Sequence, residues 1–398
     1  MTALERRTVG SLALLYSFRM LGLFMVLPLL ALYAADMPMA TPVLLGLAMG
    51  AHGLTQALLQ IPFGWLSDRV GRKPVIVAGL LLFAVGSVVA AVADSIHGII
   101  IGRLLQGAGA IAAAIMALVA DLTREEQRTK AMALVGASIG LSFALALILG
   151  PVIAAAGGLS AVFWFTAVLA VIGVLIVLAL VPAPPAGPVG HVEAIAQRGL
   201  IGRSLRDVAL ARLNFGVFSL HFIMMAMFLV VPGFLEQDAG IGRDSHWLVY
   251  LPALALSLAG MVPLLIVAER GGRPRQMFLL GIALVFAAVA VLGFTSMTLV
   301  FYAALWLFFV GVNYLEATLP SLVSKTVFAG GKGTALGVYS TCQFMGAFAG
   351  GAVGGWALQH WGAPALVGAC LLLGALWWLV ALPMTMPKLL EPGELTDA

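Results

Sequence analysis

Five ionisable side chains lie inside stretches that are otherwise apolar: Arg19, His52, Arg103, His221 and Glu316. A charge at the centre of a bilayer costs at least about 2.5–3.5 kcal/mol, so each needs a partner or a wet cavity. A carboxyl group held away from water and an imidazole both exchange protons near neutral pH. Glu316 and His221 are therefore candidates for carrying a proton. His221 follows Arg212 by nine residues, and Glu316 precedes Lys325 by nine. The helical rise sets both roughly 13 Å from one membrane face, a depth at which they can pair. Arg19 cannot lose its charge. A permanent cation in a substrate cavity favours an anionic or neutral solute, unless an acid neutralises it. His52 and Gln56, one helical turn apart, are candidates to line that cavity, as are Asn214, Asn313, Tyr314, Tyr339 and Gln343.

A second constellation is Gly64-Trp65-Leu66-Ser67-Asp68-Arg69-Val70-Gly71-Arg72-Lys73-Pro74, set between two long apolar runs. Each run is long enough to cross a bilayer, which takes about 20 apolar residues. So short a turn must reverse at the membrane face, leaving Asp68 at a helix end with Arg69, Arg72 and Lys73 close by. Gly71 is expected to adopt a backbone conformation that other residues reach only with strain. Gly64, one turn before Asp68, is expected to admit a neighbouring helix.

The elements that position these residues follow from composition. Hydrophobic residues make up 62% of the 398 and charged ones 10%, with mean hydropathy +1.09, which excludes a water-soluble fold. Apolar runs occur at 10–33, 42–66, 74–94, 98–120, 131–156, 160–181, 209–234, 245–268, 276–294, 298–323, 333–358 and 362–383. The first is too long for a signal-peptide core and contains Arg19, so it reads as a retained span. The expected fold is an all-α integral membrane protein of twelve transmembrane helices. All Lys and Arg except Arg19, Arg103 and Arg243 fall on one side of these spans, which makes that side cytoplasmic and puts both termini there. The net charge of +4 thus argues topology, with no nucleic-acid partner expected. Cys342 and Cys370 lie in apolar runs and suit neither a disulfide framework nor a metal site.

The longest interruption, Val181 to Val208, is rich in proline and then basic, and it divides the spans six and six. Asp68-Arg69-Val70-Gly71-Arg72 recurs as Glu269-Arg270-Gly271-Gly272-Arg273, and Lys130-Ala131-Met132-Ala133-Leu134 recurs as Lys332-Gly333-Thr334-Ala335-Leu336, at nearly one offset. A duplicated unit is expected: a six-helix bundle over 1–181, a cytoplasmic linker over 182–208, a second bundle over 209–383 and a cytoplasmic tail over 384–398. Parallel halves around a mid-membrane site suit a rocking transporter.

The 64–74 loop resembles the loop between the second and third helices of the major facilitator superfamily. Gly102-Arg103-Leu104-Leu105-Gln106-Gly107-Ala108-Gly109 is similar to the Arg-x-x-Gln-Gly-x-Gly motif of that family's fourth helix. Gly136, Gly140 and Gly150-Pro151 resemble the glycine-proline motif of its drug/proton antiporters, with Ala154-Ala155 where Gly-Gly is usual. Phe18-Arg19-Met20-Leu21-Gly22 and Leu315-Glu316-Ala317 are similar to runs in the YajR-like branch. The resemblance implies two pseudo-symmetric bundles in the major facilitator fold. It also implies that Asp68, Asp121 and Arg72 form a charge cluster that meets the start of the eleventh helix, near Gly331 to Thr334, when the cytoplasmic side is closed. A carboxylate beside a helix N-terminus gains about 0.3–1 kcal/mol, so such a contact would latch that state. Arg103 would assist proton coupling. Many of these antiporters carry an acid where Arg19 stands.

The expected function is secondary transport, as proton-driven efflux (antiport) of a small organic molecule by alternating access from a bacterial-type inner membrane. The alternative is a facilitator or symporter importing a small anionic or neutral solute. No Ser/His/Asp constellation, metal spacing or phosphate loop appears, so neither an enzyme nor a cofactor is expected. The chain is expected to act as a monomer among membrane lipids.

Overall fold

Lipid offers the backbone no hydrogen-bond partners, so apolar runs of this length must satisfy their own N–H and C=O groups as helices. The computed structural model describes residues 1–182, 198–237, 239–295, 297–327 and 331–385. Most of the expected linker and almost all of the expected tail lie outside these residues. The helices are α1 (Ala3–Tyr33), α2 (Pro42–Val70), α3 (Arg72–Ala91), α4 (Ile96–Ala108), α5 (Ala112–Asp121), α6 (Glu125–Ala179), α7 (Arg198–Arg206), α8 (Val208–Gln237), α9 (Trp247–Glu269), α10 (Pro274–Phe294), α11 (Thr298–Thr326) and α12 (Lys332–Ala381).

Twelve crossings result because two helices each hold two. The direction of α6 changes at Gly157 and Gly158, and that of α12 at Gly362, where the backbone leaves helical geometry. The fourth crossing departs from the single run expected at 98–120. It is α4 followed by α5, interrupted at Gly109 to Ile111. The short α7, unforeseen in the basic linker, packs against α8 and α12. Side-chain caps define the starts of α1 and α2. Thr2 and Glu5 form a reciprocal capping box, and Thr41 accepts from the Leu44 N–H with Pro42 in the first turn.

The first bundle packs α1 and α3 against α6, and α4 against α2 and α3; the second packs α8 against α12, and α11 against α9 and α10. Large apolar side chains such as Leu141, Leu299 and Leu372 stay exposed on the outside, as a lipid-facing surface requires. The bundles meet along the halves of α2 and α12 furthest from the basic loops. A methyl group added to Gly46 would collide with the Gly351 carbonyl oxygen. One at Gly50 would come 2.8 Å from the Phe348 oxygen, and one at Gly53 2.7 Å from the Phe344 oxygen. Phe143 of α6 and Phe309 of α11 also meet across the interface, with ring centroids 6.5 Å apart. This half of the interface is shut.

Candidate functional site

In the second bundle, α8, α11 and α12 bring three expected residues together. Glu316 Oε1 lies 3.0 Å from His221 Nε2, and the Gln343 amide lies 2.8 Å from the same nitrogen. The other ring nitrogen, Nδ1, is 3.1 Å from the Val217 carbonyl oxygen one turn back on α8. A carbonyl only accepts, so Nδ1 carries hydrogen. The Gln343 amide nitrogen only donates, so a proton between Nε2 and Oε1 sits on the carboxyl, or on the imidazole once the Gln343 amide turns its oxygen to Nε2. The Glu316 side chain is 34% exposed and that of His221 9%. Asn313, one turn before Glu316, donates to Ser257 Oγ at 2.8 Å and ties α11 to α9. Tyr339 is buried on α12, and Asn214 and Tyr314 are buried within the same bundle.

The first bundle departs from expectation. Arg19, His52 and Gln56 were expected to line the cavity, but all three are buried inside the bundle. Arg19 Nη2 donates to Gln56 Oε1 at 2.8 Å and to the Gly109 carbonyl at 3.1 Å, and its guanidinium lies 5.6 Å from the Phe83 ring centre. The interruption between α4 and α5 supplies that carbonyl at the negative end of α4, which suits a cation with no carboxylate in ion-pair distance among the described residues. Arg103 donates to Gln106 Oε1 at 2.9 Å, to His52 Nδ1 at 2.7 Å and to the carbonyls of Ala48 and Met49 on α2. Gln106 donates onward to Ser87. His52 Nδ1 also lies 3.1 Å from the Met49 carbonyl oxygen, but it cannot donate there while accepting from Arg103, and the shorter Arg103 contact makes it the acceptor of a neutral imidazole. The argument for an anionic substrate from Arg19 therefore lapses, and of the five ionisable side chains within the spans Glu316 is the one that stays part-exposed.

On the basic face, Arg72 pairs with Asp68, reaches Asp121 at 3.2 Å and donates to Ser67 Oγ at 2.7 Å. Ser67 went unremarked in the sequence, although it lies one turn before Gly71. Arg69 instead stacks 3.7 Å from the centre of the Trp65 ring, and Lys73 donates to the Val181 carbonyl at 2.7 Å. Gly71, with φ +106° and ψ 150°, ends α2 and starts α3. Gly64 makes only ordinary contact with Ala113, so it does not mark a specially close helix approach. The cluster makes no hydrogen bond or ion pair with residues 331–334 among the described residues. Also unforeseen is Glu5, which holds the Arg124 side chain at 3.0 Å, although Thr2-x-x-Glu5 spells a capping box.

The opposite face carries the ties between bundles. Arg243 bonds Asp36 at 2.8 Å, Glu236 at 2.9 Å and the Leu32 carbonyl at 3.2 Å, and Val43 N–H donates to Gln359. Hydrogen bonds donated to Asp36 and then to Glu236 hold the Arg243 guanidinium above the ordinary arginine pKa.

The sequence model of the major facilitator superfamily matches residues 12–351. The chain belongs to the major facilitator superfamily. It is 46% identical over 97% of its length to the inner membrane transport protein YajR of Escherichia coli, covering 85% of that protein. It is also 28% identical over 90% of its length to the multidrug resistance protein MdtH of Aeromonas hydrophila, covering 88% of it. Among solved structures, a bacterial homolog of the human lysosomal transporter Spinster superposes with TM-score 0.77 at 13% identity, covering 96% of this chain and 97% of that one. As a major facilitator, the protein is a multi-pass membrane transporter of small molecules and not an enzyme.

Proposed function

We propose that this facilitator-fold protein is a proton-driven exporter of a small organic molecule, in which the proton and the substrate compete at Glu316. The basic face is cytoplasmic, so both termini lie inside the cell and the structure corresponds to a state closed to the outside. The single observation carrying the proposal is the 3.0 Å Glu316–His221 contact, a pair near mid-membrane depth whose carboxyl group is part-exposed. Loss of that proton leaves two lone pairs facing each other and frees the carboxylate to attract a cationic or polar group. A bound substrate and a bound proton are then alternatives, as antiport requires. The multidrug name of the MdtH relative agrees with export of organic solutes.

The test is transport in proteoliposomes with an imposed pH gradient, offered cationic, neutral and anionic compounds in turn. Uphill movement of a cationic or neutral compound against inward proton flow is expected. Transport indifferent to the gradient would make the protein a facilitator, and transport confined to anions would remove Glu316 from the substrate site.

A further inference from the structure

Among the described residues, Arg243 is the Lys or Arg outside the spans that the order of the spans sets apart from the basic face. It stands on a short 3-10 turn, Arg243–Ser245, between α8 and α9 in the second bundle. Two of its three partners, Asp36 and the Leu32 carbonyl, belong to the first bundle, and the third, Glu236, lies in the last turn of α8. The positions of these partners explain the placement. Leu32 lies in the last turn of α1, where carbonyls lack partners within the helix and carry partial negative charge. Glu236 puts a carboxylate at the C-terminal end of α8, the unfavourable end for an anion. The first helices of the two repeats thus end side by side on the outer face with negative charge on each, and one guanidinium sits between them. The Tyr33 ring lies 5.8 Å below that guanidinium.

We propose that Arg243 is the clasp of the outer gate: it holds the outer mouth shut by capping α1 from the opposite bundle and neutralising Asp36 and Glu236. Opening that mouth separates Arg243 from Asp36 and Leu32 while Glu236, on its own bundle, can travel with it. The clasp is polar and part-exposed, with the Asp36 side chain 69% exposed, so it is weak enough to open in every cycle. It complements the glycine seam of α2 and α12, which gives close packing but no charge. The inference rests on alternating access and not on proton coupling or on the identity of the substrate.

The experiment is pulsed electron–electron distance measurement on the full-length protein in lipid nanodiscs. Spin labels sit at Asp94 and His360 for the outer mouth and at Leu4 and Lys325 for the inner one, all exposed positions. Arg243→Gln is expected to shift the outer distances toward the open population by about five-fold, the size expected for one part-exposed ion pair and one charged hydrogen bond to a carbonyl. Arg243→Lys, which cannot reproduce the forked donor, should shift it less. Asp36→Asn changes a surface side chain and carries little folding risk. It should move the outer population the same way and add nothing on top of Arg243→Gln. A two-state outer distribution indifferent to both Arg243→Gln and Asp36→Asn would overturn the clasp alone. One fixed outer distance in the wild type and all variants would overturn the clasp and alternating access together.

Discussion

Arg103 and Arg19 illustrate how buried charge is settled without a carboxylate: each is held by carbonyls and amide side chains of the first bundle. Removing Arg103 would strand His52, Gln106 and two α2 carbonyls, at a cost of about 2–4 kcal/mol. Arg103→Ala should therefore lower the melting temperature of the purified protein in detergent by several degrees, and an unchanged midpoint would show that the network carries no stability. His52 is a neutral acceptor in this network, so His52→Asn should leave the pH dependence of transport where it is, measured as flux against pH. A displaced profile would make His52 a second proton site. The equal depth of His221 and Glu316 was legible from nine-residue spacings because the helical rise is the same in every span, whereas their contact depends on how the two helices are rotated. The direction in which Arg19, His52 and Gln56 turn was not legible. A span buried among other spans is apolar on every side, so its sequence marks polar positions without saying which neighbour they face.

Among the elements, the α2–α12 seam sets the outer closure because the two backbones touch where neither glycine carries a side chain. Gly46→Ala and Gly351→Ala should each hold the outer mouth open, seen as a lost short component in the outer distance distribution, whereas Gly64→Ala should be close to neutral. Equal behaviour of all three would deny the seam its role. Gly71→Ala is a different case: its φ of +106° lies in a region other residues avoid, at a cost of about 1–3 kcal/mol, which thermal unfolding would detect. The spans themselves were readable from hydropathy, and the doubling of the chain from two motifs that recur at nearly one offset. The interruption of the fourth crossing was not, since Gly107 and Gly109 are compatible with an unbroken membrane helix and the break is decided by what Arg19 needs from the Gly109 carbonyl.

In the molecule as a whole, the two faces behave as opposites. On the face opposite the basic loops, Arg243 and the glycine seam join the two bundles, while Asp68, Arg72 and Asp121 stay within the first bundle on the basic face. Closure of that face is expected to bring this cluster onto the start of α12, as the resemblance to the family implies. The most direct measurement of proton-driven exchange is Glu316→Gln in proteoliposomes, comparing uptake driven by a pH gradient with counterflow between equal pools. Gradient-driven flux should fall at least about ten-fold, the loss expected when a coupling group can no longer change charge, while counterflow persists. Gradient-driven flux that survives the substitution with its pH dependence unchanged would contradict a proton carried at Glu316.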